Sequence, residues 1–307
     1  MQHYLLLNVI LQTLFPSTLF NVLLYFQISI GRDMKLIQMT DIHLTSTGKT
    51  IGGRDPYINF TNALEHALTN HPDAEAIIIT GDLSDWGEKT DYEVLREIIK
   101  KLPISVHLAI GNHDDRETFL DIFPDYEDQN GHAQKVFQLS KGVGIILDTW
   151  GPETHAGFYC SKRCEWLQKA LEEAKGPVSL FMHHNPIPTH VGPTDQIMLQ
   201  NRELFGSVIK KHQQKVSNIF FGHCHIPLSG TFYGVHVFAP RGTNHAGFAN
   251  FKETTLLTAS DLPQAYAVIF FDQHSTTIHM IEFGYEGPLR VEGSPDYGTW
   301  DKEFTMR

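Results

Sequence analysis

The stretch Ile104-Ser105-Val106-His107-Leu108-Ala109-Ile110 runs directly into Gly111-Asn112-His113-Asp114. The first seven residues read as a mostly apolar strand. The last four bring a glycine, an amide, an imidazole and a carboxylate to the point where that strand ends. Gly111 permits a sharp backbone turn. Asn112 offers an amide oxygen of the kind that binds a hard cation, and His113 is a proton donor beside it. Alone, the tetrapeptide has an ordinary reading, because Asn, Asp and Gly also make turns. Its neighbours along the chain change that.

Similar clusters close other strands. Upstream, strand 35–40 ends in Asp41-Ile42-His43 and strand 76–80 ends in Gly81-Asp82. Downstream, strand 178–182 ends in His183-His184 and strand 216–221 in Gly222-His223-Cys224-His225. Helical periodicity falls between them, over 59–70, 91–100, 116–122, 161–174 and 197–210, with further strands near 134–139 and 143–148. Residues 228–283 are strand-rich. This alternation predicts an α/β layered core with a substantial sheet. In open α/β sheets ligands gather beyond the carboxyl ends of strands, so five such clusters can share one crevice. Mixed Asp, Asn and His donors suit Mn, Fe or Zn. About seven are present, enough for two metal ions if one carboxylate bridges.

Composition narrows the partners. The chain has 307 residues, is 41% hydrophobic and carries a formal charge of −11. That balance argues against a surface that coats a nucleic-acid polymer, but not against a small anion held by metals. The three cysteines, Cys160, Cys164 and Cys224, imply no disulfide framework, which points to a cytoplasmic protein. Residues 1–33 form an apolar extension with three readings. Met34 is the natural start and the segment an upstream addition, or the segment is a membrane anchor interrupted by Pro16, or it is a signal peptide without a basic start.

The ordered series Asp41-x-His43, Gly81-Asp82, Gly111-Asn112-His113-Asp114, His183-His184 and Gly222-His223-x-His225 resembles the calcineurin-like metallophosphoesterase superfamily. Within it the chain is most similar to bacterial class III cyclic-nucleotide phosphodiesterases and related glycerophosphodiesterases. The resemblance implies a four-layer α/β/β/α sandwich of two mixed sheets flanked by helices, with a catalytic core over 34–230. Residues 231–307 would complete the core and add a cap or a dimerisation tail, so a homodimer is expected. Carried over, Asp41, His43 and His225 bind one metal, Asn112, His183 and His223 the other, and Asp82 bridges both.

The implied activity is hydrolysis of a small phosphodiester by in-line attack of a metal-bridging hydroxide. His113 assists the leaving group, and Asp114 orients His113 through a hydrogen bond. A cyclic nucleotide, cAMP, is the expected substrate. The alternatives are a glycerophosphodiester, a broad range of phosphomono- and diesters, or a metal-binding scaffold without catalysis. His184 either lines the site or packs beneath it. Asp85 and Trp86 either shape the entrance or belong to a surface loop. Arg241, Asn244 and His245 form a candidate substrate-facing loop.

Overall fold

The computed structural model describes residues 33–45 and 49–288. The 1–33 segment lies, save for Asp33, outside the described residues. Among those described, no helix is long and apolar enough to cross a membrane.

Two sheets carry the fold. The first has strand order β13-β12-β1-β2-β3, built from β1 (Met34–Met39), β2 (Ala76–Thr80), β3 (Ser105–Ala109), β12 (Tyr266–Phe271) and β13 (Thr276–Ile281). The second has order β4-β5-β6-β7-β9-β8, from β4 (Lys135–Leu139), β5 (Gly142–Ile146), β6 (Val178–Phe181), β7 (Val216–Phe220), β8 (Leu228–Phe232) and β9 (Val235–Ala239). A short hairpin, β10 (Ala246–Gly247) with β11 (Ala259–Ser260), stands apart from both. The first sheet is parallel over β1, β2 and its edge strand β3 and antiparallel over β12 and β13, whereas the second has a parallel centre and an antiparallel strand at each margin. The parallel crossovers carry helices: α1 (Pro56–Asn70), α2 (Lys89–Ile99), α4 (Ser161–Glu173), α5 (Gly192–Gln196) and α6 (Arg202–Lys211). The short α3 (Arg116–Ile122) follows β3.

The alternation of side chains along β5, β6 and β7 makes the layers. Ile146, Phe181 and Phe220 face the first sheet and join its core, whereas Ile145, Leu180 and Ile219 face α4 and α6. Phe181 stacks on Phe220 with ring centroids 5.2 Å apart, and Phe137 of β4 extends that row. Helices α1, α2 and α3 contribute Phe60, Leu95 and Phe119 to the first core. The result is the four-layer arrangement expected. The described residues after 231 join it: β9 lies beside β7, and β12 pairs with β1.

Two boundaries differ from the sequence reading. Helix α1 begins at Pro56, three residues before Asn59, because the Asp55 carboxylate accepts from the Tyr57 and Ile58 amides and Pro56 fits the first turn. The stretch 197–201 is not helical. Leu199 donates its amide to the Asn185 carbonyl, Gln200 to that of Gly157, and the Asn201 side chain bonds both backbone groups of Tyr159. Those five residues latch the 156–159 loop, and helix α6 starts only at Arg202.

Candidate metal centre

All five parallel strands that end in a cluster point their carboxyl ends at one edge of the sandwich. There the structure brings Asp41, His43, Asp82, Asn112, His183, His223 and His225 together. The loops that carry them are fastened to one another. Asp41 donates its amide to the Gly81 carbonyl, His43 to that of Asp82, Asn244 to that of Asp41, and Gly222 to that of His183. These bonds hold strained backbone. Asp41, His43, Asp82, His223 and His225 all have positive φ, between 47° and 70°. For residues other than glycine that region costs of order 1–3 kcal/mol each, and it persists only where the surroundings enforce it.

The glycines serve proximity. A side chain at Gly111 would strike the Asp82 carboxylate and the His183 ring. Gly111 itself has no positive φ. Its value is therefore space rather than the sharp turn expected of it.

Hydrogen bonds at the back of the rings decide which atoms face inward. His183 Nδ1 donates to the Thr80 carbonyl (2.8 Å) and His225 Nδ1 to the His245 carbonyl (3.2 Å). His43 Nδ1 donates to the Asp85 carboxylate (3.2 Å). In each neutral ring Nε2 is then a bare lone pair. His43 Nε2 stands 3.3 Å from His225 Nε2, and His183 Nε2 stands 3.1 Å from Asn112 Oδ1. The amide of Asn112 is oriented by donation from Nδ2 to His155 Nδ1 (2.9 Å), so its oxygen faces His183. Acceptors aimed at acceptors need a cation between them. Metal bonds of about 2.1 Å place neighbouring donors roughly 3.0–3.4 Å apart, matching these separations.

Two donor sets emerge. Asp41 Oδ1 lies 3.4 Å from His225 Nε2, and Asp82 Oδ2 lies 3.6 Å from His43 Nε2. On the other side Asp82 Oδ1 lies 3.3 Å from His183 Nε2, which faces His223 Nδ1 at 3.2 Å. Asp82 thus turns one oxygen to each set. Asp41 Oδ2 is buried with no protein partner, a further donor awaiting positive charge. Without metal, a proton stands in for that cation. Burial opposes ionisation of both Asp82 and His183, yet their mutual attraction prevails, holding Asp82 well below the usual carboxylate range and lifting His183 to about 9. Nε2 of His183 is therefore bare only once a metal displaces its proton. Burial, reinforced by the charge on His43, drives His225 down to about 3. The donor set fits two cations sharing Asp82.

His113 sits at the open side. Its Nδ1 donates to the Asp85 carbonyl (2.8 Å), and its ring meets that of His43 edge-on at 4.8 Å. His113 and His245 both line a cleft of about 600 Å³ above the donors.

The surroundings differ from expectation at Asp114, Arg241 and Asn244, and His184 takes the second of its two readings. Asp114 does not touch His113 in a hydrogen bond; it is buried and accepts from the Leu83, Ser84 and Gly111 amides and the Tyr92 hydroxyl. The supporting partner of His113 is Asp85. His184 packs beneath the site: Nε2 donates to the His155 carbonyl (3.2 Å), so Nδ1 accepts from Thr149 Oγ1 (2.8 Å). Arg241 points elsewhere, with its guanidinium bonded to the Pro263 carbonyl and Glu282. Asn244 is buried and accepts from Asn59, which makes it a brace for the loop. His155 was missed by the sequence reading. It lies 43 residues from Asn112 in an irregular loop, and no local pattern marks it.

This fold and this paired donor set define a metal-dependent phosphoesterase. Residues 34–227 match the model of the calcineurin-like phosphoesterase family, and the chain belongs to that family. It is a phosphoric ester hydrolase. A protein of Rhodopseudomonas palustris named as a probable cyclic nucleotide phosphodiesterase is 34% identical over 261 residues, covering 83% of this chain and 95% of the relative. A probable glycerophosphodiester phosphodiesterase of Arcobacter nitrofigilis is 25% identical over 262 residues, 83% and 96% of the two chains. Among solved structures, a dimetal phosphatase from Danio rerio superposes with TM-score 0.63 at 13% identity, over 81% of this chain and 96% of that one, a likeness of fold.

Proposed function

We propose that this protein hydrolyses a 3′,5′-cyclic nucleotide, with cAMP as its substrate, at a centre of two metal ions drawn from Mn, Fe and Zn. The observation that carries the reading is the facing of bare donors in two sets that share Asp82, with His113 alongside at the mouth. Asp41, His43 and His225 would hold one ion, Asn112, His183 and His223 the other, with Asp82 turned to both sets. When bound, such a pair lowers the pKa of water and neutralises phosphate oxygens for in-line displacement.

The chain's own groups do the rest. Asp85 fixes the His113 ring through its carbonyl, and its carboxylate lies 3.6 Å from Nδ1. With Nδ1 so held, Nε2 is the atom that gives a proton to the departing oxygen. His155 keeps the Asn112 oxygen turned inward. The name given to the Rhodopseudomonas relative supports the cyclic-nucleotide substrate.

The test is steady-state hydrolysis by the full chain loaded with manganese, comparing kcat/KM for cAMP, a glycerophosphodiester and a phosphate monoester. A preference for cAMP is expected. Preference for the glycerophosphodiester would replace the proposed substrate, and two bound metals with no turnover of any would favour a binding role.

A further inference from the structure

Trp86 is 70% exposed, and its ring lies 5.7 Å from that of His113. A single exposed aromatic residue is ordinary. This one is mounted firmly. Its amide donates to Ser84 Oγ (3.3 Å), Ser84 Oγ donates to Asp91 (2.6 Å), and the Ser84 amide donates to Asp114 (3.0 Å). The indole thus projects from a pinned turn beside the residue assigned to the leaving group. Apolar side chains line other parts of the same cleft, among them Ile51, Pro193, Phe248 and Leu257, interspersed with neutral polar ones such as Thr194 and Gln196. Among the described residues lining it, the only carboxylates are Asp82 and Asp85, both engaged with the histidines. An ammonium headgroup has no free acid there to meet.

Resting on the phosphodiesterase reading above, we infer that Trp86 is the specificity-determining residue for the leaving-group side of the substrate, and that it selects a flat aromatic ring there. The oxygen that leaves lies beside His113, so the group attached to it lies against the neighbouring indole. In a cyclic nucleotide that group is the nucleoside, whose base offers a π-face. Stacking of a base on an aromatic side chain is worth about 1–3 kcal/mol, or roughly 5- to 150-fold in binding. A glycerol substituent gains nothing comparable.

The experiment compares wild type, Trp86→Ala and Trp86→Phe, each loaded with manganese and matched for metal content. The substrates are cAMP, glycerophosphoglycerol, glycerophosphocholine and bis(4-nitrophenyl) phosphate. Trp86→Ala is expected to raise KM for cAMP and for the nitrophenyl diester at least fivefold with kcat within threefold of wild type. Glycerophosphoglycerol should be unaffected, and Trp86→Phe should recover most of the loss. Equal loss on all substrates, or loss confined to glycerophosphocholine through cation–π contact, would overturn the inference. If wild type leaves cAMP intact, the nitrophenyl diester separates the two readings. A raised KM there keeps the aromatic platform and rejects the cyclic nucleotide; an unchanged KM rejects the platform.

Discussion

His113 has its Nδ1 proton tied to the Asp85 carbonyl and contributes none of the inward-facing donors. Removing it should spare metal content and cost turnover. For His113→Ala the expected fall in kcat is about 10²- to 10⁴-fold, with two metals per chain still found by elemental analysis. Parallel loss of metal and activity would sink the role. His107 supplies a residue-scale prediction of another kind. On β3 it is half-buried, stacks on Phe137 with centroids 3.6 Å apart, and has no partner for Nδ1. Burial, helped by the charge of Lys135, depresses it to about 4. The unfolded chain takes up this proton near pH 6.5 and the folded protein only near 4, so stability falls as pH drops through that window. After discounting for solvent screening, His107→Gln should remove about 1–2 kcal/mol of that acid sensitivity. Superimposable wild-type and variant curves of unfolding free energy against pH would refute it.

At the scale of elements, the end of β5 is tied to the loop of His113. Asp148 is fully buried between Arg116 (2.6 and 3.0 Å) and Arg163 (3.2 Å) and accepts from the Ala133 and Trp150 amides. Trp150 in turn donates from its indole to the Asp114 carbonyl (2.7 Å). Asp148→Asn leaves two guanidinium groups without their counter-charge and should cost about 3–5 kcal/mol in urea unfolding. An unchanged midpoint would contradict that account. Elements also show what a sequence reading reaches. Strand-end clusters were legible because parallel strands are continuous apolar runs, and the residues just past each run must emerge at one edge. Asp114 and Asp85 were not separable that way: each is a short step from a donor, and only the pairing of the 83–85 loop with Asp114 decides which carboxylate turns to a histidine. Arg241 and Asn244 failed for the same reason, since they lie beyond β9 in a loop whose path is set by Asn59 and Glu282, far away in the chain.

Across the whole molecule, the donor sets straddle the two sheets. The first gives Asp41, His43, Asp82 and Asn112; the second gives His183, His223 and His225. Cations held there would fasten the layers at one edge, and unfolded chain lacks the preformed site. At a free concentration one hundredfold above the dissociation constant, a bound ion adds about 2.7 kcal/mol. Loading with manganese should therefore raise Tm by about 4 °C for each ion bound, or about 8 °C for two, reversibly on chelation. Equal Tm with and without metal would disprove binding at these donors.

The left-handed backbone at positions 41, 43, 82, 223 and 225 sets heat resistance against activity. Glycine adopts such φ values freely, so each exchange would relieve strain while deleting a donor. Run without metal, a selection that rewards thermal endurance alone would favour glycine at these five places and return an inert protein. Any laboratory evolution of this chain has to screen for turnover at every round, because its most useful residues are the ones its fold would most readily give up.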